Sequence, residues 1–119
     1  MSLTSDLANE IAKAMAEYSA EVEDKIDLIA EDIVNEAVTE LKATSPKRHG
    51  KYARNWRFKK NTKGSYVIYN AAPTYRLTHL LENGHVLRNG GRSQAFPHIK
   101  PVEEKIKEKF EKRIKELGR

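Results

Sequence analysis

The stretch Arg54-Asn55-Trp56-Arg57-Phe58-Lys59-Lys60-Asn61-Thr62-Lys63-Gly64-Ser65-Tyr66-Val67-Ile68-Tyr69 decides the fold. In an extended chain Trp56 and Phe58 share one face, while Arg57 and Lys59 point the other way. Asn61 to Gly64 supply turn residues, and Ser65 to Tyr69 return as a second strand. A β-hairpin is therefore predicted over residues 54–70. The second strand is apolar or aromatic on both faces, so it is expected to lie between layers.

Both flanks read as helix. Upstream, Leu7, Ile11, Met15, Tyr18, Val22, Ile26, Ile29, Ile33 and Ala37 recur at spacings of four and three. That is a period of ~3.67 residues, close to a straight α-helix. Thr4, Ser5 and Asp6 offer capping oxygens. Ser45-Pro46 marks the stop, because the residue before proline is pushed out of helical geometry. One helix is predicted over 5–43, roughly 55–60 Å long at ~1.5 Å per residue. It is too long for its own domain. One end is expected to project or bend, with an apolar stripe seeking a partner.

Residues 44–53, including Arg48 and His49, read as a basic, breaker-rich loop. Downstream, a short helix is predicted over 75–83, with Leu77, Leu80 and Leu81 facing inward and Gly84 as the stop. A strand is a candidate over 85–88, and a flexible loop over 89–97. A C-terminal helix is predicted over 101–117, with Pro101 in its first position and Glu103 and Glu104 in its first turn. Val102, Ile106, Phe110, Ile114 and Leu117 form its apolar face, and Gly118 ends it. The fold class is α+β, in a single domain over 1–119. A long N-terminal amphipathic helix packs on a small antiparallel sheet, with a short middle helix and a C-terminal helix.

The chain has 119 residues, 39% hydrophobic and 33% charged, which suits one soluble domain with a modest core. No stretch approaches the ~20 apolar residues of a membrane span, and the start lacks a secretory pattern. Without cysteine, disulfides, thiolate zinc sites and thiol catalysis are excluded. Charge is segregated: residues 1–41 carry 11 acids and two lysines, whereas residues 42–119 carry 20 bases and six acids. Such asymmetry marks either a nucleic-acid surface or self-complementarity within or between subunits. A strongly acidic helix favours the second.

Candidate chemistry is sparse. His79 and Glu82 share a helix face, but a metal site needs a third ligand that the sequence does not place there. Beyond residue 41 the acids are Glu82 and five on the last helix, interleaved with lysines as on a solvated face. No phosphate-binding or dinucleotide motif occurs. Neither catalysis nor a cofactor is expected. The basic residues between Lys47 and Lys63, interleaved with Tyr52, Trp56 and Phe58, suggest nucleic-acid binding. Their alternation favours instead a half-buried strand with its bases on the wet side. The enzymatic form of this alternative is a small basic ribonuclease toxin using Tyr75, Arg76, His79 and His85.

From Asn70 the sequence becomes recognisable. Asn70-Ala71-Ala72-Pro73-Thr74-Tyr75 leads through Glu82-Asn83-Gly84-His85 to Gly90-Gly91-Arg92 and Phe96-Pro97-His98-Ile99-Lys100-Pro101-Val102-Glu103-Glu104. This run resembles the phage tail-component family, the neck, head–tail joining and tail-completion proteins of long-tailed phages. Gly50-Lys51-Tyr52-Ala53-Arg54-Asn55-Trp56 is similar to the family's approach to its hairpin. Thr74 departs from the pattern by separating Pro73 from Tyr75. The shared positions Pro73, Tyr75, Glu82, Gly84, Pro97 and Pro101 are shape-giving rather than reactive. The resemblance implies a structural protein of a phage or prophage, present in host cytoplasm before assembly and in the virion after it. It implies a ring of copies among other neck or tail proteins, possible monomers in isolation, and DNA passing nearby without specific binding. Arg54, Arg57, Lys59, Lys60, Arg88 and Arg92 are the candidate interaction residues.

Overall fold

The computed structural model describes residues 5–17, 20–47 and 50–117. The expected capping side chains Thr4, Ser5 and Asp6, together with Tyr18, Arg48, His49 and Gly118, lie outside what is described. Helices α1 (Ser5–Glu17), α2 (Ala20–Thr44) and α3 (Lys51–Arg54) precede strands β1 (Trp56–Thr62) and β2 (Ser65–Asn70). A 3-10 turn (Thr74–Arg76) then runs into α4 (Leu77–Asn83), and α5 (Ile99–Leu117) closes the chain. The class is α+β, with N- and C-terminal helices around a two-stranded antiparallel sheet.

The predicted apolar stripe is present, but its geometry differs from a projecting rod. On one straight helix Glu10 would stand 22 residues, or ~33 Å, from Asp32. Glu10 instead lines a groove with Phe110, Glu111 and Ile114, next to the Arg113 that pairs with Asp32. Helix α1 therefore lies back against α5. Its stripe is spent internally, with Leu7 and Ile11 each 1% exposed. Periodicity reports which face is apolar; it carries no information on what covers that face.

Helix α5 runs antiparallel to α2, and three ion pairs at four-residue intervals set the register: Glu40–Lys105, Glu36–Lys109 and Asp32–Arg113. Beneath them Ile33, Ala37 and Leu41 meet Val102, Ile106 and Phe110 in one buried cluster. Exposed pairs contribute only ~0–1 kcal/mol each, so the apolar seam holds the helices and the charges align them.

In the hairpin Trp56 pairs with Asn70, Phe58 with Ile68 and Lys60 with Tyr66, and the register shifts between Lys60 and Thr62. On β2, Tyr66, Ile68 and Asn70 are buried while Val67 and Tyr69 are only half-buried. The sheet thus has one core face and one open face, not a covering layer on each side as expected. Trp56 buries its ring and donates from Nε1 to Ser45 Oγ at 2.8 Å, satisfying the indole where water is excluded.

Other expectations are corrected. Part of the basic loop over 44–53 is helical, and Tyr52 and Ala53 of α3 are buried. On α4 it is Thr78 that faces inward, whereas Leu77 and Leu80 are 40% and 37% exposed. The candidate strand over 85–88 is reduced to a single bridge, Val86 with Arg92. Bonds from Leu87 N to Gly91 O and Ser93 N to His85 O hold the chain there as a tight reversal. Helix α5 begins two residues before Pro101, so Glu103 and Glu104 fall outside its first turn.

Candidate assembly surface

Two carboxylates pin the elements. Asp27 of α2 accepts from Lys60 Nζ at 2.5 Å, from the Gly64 backbone N–H at 2.8 Å and from Tyr66 OH at 2.8 Å. Burial pushes this carboxyl up, but the bonds from Lys60, Gly64 and Tyr66 outweigh it and hold Asp27 below the usual range. The hairpin turn is thereby tied to α2, and Lys63 pairs with Asp24 beside it. Part of the acidic helix's charge is therefore met by this chain's own hairpin.

Glu82 of α4 does the same for α5. Its Oε1 accepts the backbone N–H groups of His98 and Ile99 at 2.7 and 3.0 Å, and Oε2 that of Lys100 at 3.2 Å. Pro101 has no N–H to offer, so the free amides at this end are all engaged. Burial raises the Glu82 carboxyl, and these three bonds, with His98 nearby, bring it below its ordinary value. The negative charge that a helix start favours comes from Glu82 rather than Glu103 or Glu104. Buried His98 bonds the Phe96 carbonyl through Nδ1 at 2.7 Å and Tyr52 OH through Nε2 at 2.8 Å. Burial, aided by the charge of Glu82, pushes the Tyr52 phenol up to about 12.

The residues weighed for chemistry have local partners instead. His79 bonds Asn83, His85 bonds Ser93, and Arg76 stacks on Tyr75 with 5.8 Å between guanidinium and ring centre. The pairing of His79 with Glu82 is not formed, because Glu82 is turned to α5. Among the described residues, no group of three or more His, Asp or Glu is placed to hold a metal ion.

The six candidate interaction residues fall in two places. Arg54, Arg57, Lys59 and Lys60 follow the end of α3 and β1. Lys60 is committed to Asp27, while Arg57 and Lys59 are exposed on the open face, paired across strands with Tyr69 and Val67. Arg88 and Arg92 stand in the reversal after α4, where Arg92 reaches the Asn83 carbonyl at 3.5 Å. The exposed apolar residues Tyr75, Leu77, Leu80, Val86, Leu87 and Phe96 all belong to the 3-10 turn, α4 and the segment that follows it. Sequence reading turned Leu77 and Leu80 inward and so missed this surface; the mixed polar and apolar faces of so short a helix gave little signal.

Pro73 follows a cis peptide bond from Ala72, and the Thr74 hydroxyl beyond it donates to Asn70 and accepts from Asn55. Gly84 ends α4 at φ 73°, and Phe96 N bonds Leu81 O to bring the chain back before Pro97. Residues 9–84, from α1 through this helix stop, match the HK97-gp10-like family of bacteriophage tail components. The chain belongs to that family. The match takes in α2, the hairpin and α4, and ends before Gly90–Arg92 and Phe96–Glu104. No curated protein and no solved structure matches the chain significantly. As a tail-component family member it works in the virion, among other phage structural proteins. Among the described residues no helix is long and apolar enough to cross a membrane.

Proposed function

We propose that this tail component acts at the head–tail neck or in tail completion, as a non-catalytic subunit that assembles with other copies in a ring. The observation that carries the reading is the apolar surface around α4 and its reversal. Val86 is 66% exposed, Tyr75 50% and Phe96 46%. Large apolar side chains left exposed along one segment support a docking role for it. Ring contacts join two different surfaces of a subunit, so this end would meet another face of its neighbour. Arg88 and Arg92 would rim that contact. The absence of catalysis is supported by the structural work of Glu82, His79 and His85, each engaged in capping or local bonds. No cofactor is needed for such a role, and DNA would pass without base-specific contact.

The test is deletion of the gene in the phage that encodes it, followed by electron microscopy of lysates. Full heads and complete tails that fail to join are expected, with joining restored by the gene in trans. Normal joined particles from the deletion strain would overturn the placement.

A further inference from the structure

We propose that the open face of the hairpin is a sequence-independent contact surface for the phosphate backbone of double-stranded DNA. The inference rests on the reading that the protein stands where DNA passes. Residues 41–81 contain no Asp or Glu and carry ten Lys and Arg side chains. Of these, Lys60 and Lys63 are neutralised by Asp27 and Asp24. Lys51, Arg54, Arg57 and Lys59 are exposed, and among the described residues none of the four forms an ion pair.

An ordinary solvated face intersperses both signs, as the seam between α2 and α5 does. The hairpin face carries one sign only. Arg57 and Lys59 leave β1 opposite to Trp56 and Phe58, and Tyr69 and Val67 lie beside them across the ladder. Two residues along a strand span ~6.8 Å, about twice the ~3.4 Å rise per phosphate of one DNA strand. The Arg57 guanidinium is also held in place, donating from Nη1 to the Arg54 carbonyl at 2.6 Å and the Trp56 carbonyl at 3.0 Å. The side chain therefore meets a phosphate with part of its freedom already lost.

The test is fluorescence anisotropy of a short labelled duplex of mixed sequence, titrated with the full chain between ~50 and ~200 mM salt. Two phosphate contacts, from Arg57 and Lys59, predict a log–log salt slope of about −1.8, from ~0.9 counterions released per contact. R57E/K59E should weaken binding at least tenfold at the lowest salt and remove most of the slope. K112E/K115E, which changes net charge equally on exposed α5 positions, should stay close to wild type, and a urea melt should show both variants folded. The proposal is overturned if R57E/K59E binds like K112E/K115E, or if the wild-type chain ignores the duplex at low salt. Tighter binding of polyglutamate than of a duplex of equal charge would also overturn it, assigning the face to an acidic protein. The two readings fail separately. Unchanged duplex binding by R57E/K59E removes the DNA face and leaves the joining phenotype standing, whereas normal joining without the gene removes the placement.

Discussion

Glu82 on α4 accepts the backbone N–H of His98 at 2.7 Å, so a side chain 16 residues upstream caps the last helix. With the Ile99 and Lys100 amides also on this carboxylate, α4 and the start of α5 are one unit. Glu82→Ala strands three donors at a partly buried helix end and should cost ~1–3 kcal/mol. Glu82→Gln keeps a carbonyl acceptor and should cost less. Equilibrium urea unfolding measures both; equal stability of Glu82→Ala and wild type would show that water caps this end as well as Glu82 does.

Asp27 and Glu82 give the protein an acid limb. Both carboxyls lie below their ordinary values when folded. Their contribution is thus complete above the unfolded carboxylate range near ~4 and is lost as pH falls through the lower folded values. The urea midpoint should hold between about pH 7 and pH 5 and drop below about pH 4. D27N/E82Q should start lower and lose less on acidification. A double variant that parallels wild type throughout would assign the acid limb to other groups.

At the alkaline end the sign reverses. The Tyr52 and Tyr66 phenols are each pushed up to about 12, chiefly by burial. Their neutral forms stabilise the fold fully below the ordinary tyrosine value of ~10, and that contribution is lost as pH rises through about 12. Tyrosinate absorbance should show two phenols withheld until the helical circular dichroism falls. Complete ionisation near pH 10 with the helices intact would contradict the burial of both rings.

Gly84 and Gly90 both have positive φ, at 73° and 88°, but their surroundings differ. A Cβ at Gly84 would sit 2.7 Å from the Ser93 carbonyl oxygen, whereas one at Gly90 meets nothing within 4 Å. Gly84→Ala should cost on the order of 1–3 kcal/mol or more, and Gly90→Ala only the ~1 kcal/mol of backbone preference. Matched urea melts of the two variants check the ranking, and equal losses would mean that the segment around Ser93 shifts freely.

Leu80, Val86 and Phe96 are exposed, so L80S/V86S/F96S should change the unfolding free energy from urea melts by no more than ~0.5 kcal/mol per substitution. The same variant should fail to restore joining in the deletion strain. Full complementation by a folded triple variant would free this surface from any docking role.

Much of the fold was legible because it rests on local rules. The four-and-three spacing from Leu7 to Ala37 and from Val102 to Ile114 predicted helices whose stripes are buried, and Trp56 and Phe58 identified the core face of β1. Thr78 was harder, because a helix of seven residues offers too few positions for a stripe to declare itself. The exposed Leu77 and Leu80 followed from that, and with them the assembly surface.

By itself the sequence determined the main helical segments and the hairpin, though not α3 or the loss of the strand after α4, and that the two halves carry opposite charge. Those are effects of neighbours within a turn or a strand pair. Only the tertiary structure decided that α1 lies back on α5, that Asp27 takes the hairpin turn, and that Glu82 caps α5. It also decided that Lys60 is spent while Arg57 and Lys59 stay open. Each of these joins groups far apart along the chain, Asp32 and Arg113 being 81 residues apart. Such partners are chosen by how the apolar faces stack in three dimensions, which no local pattern encodes.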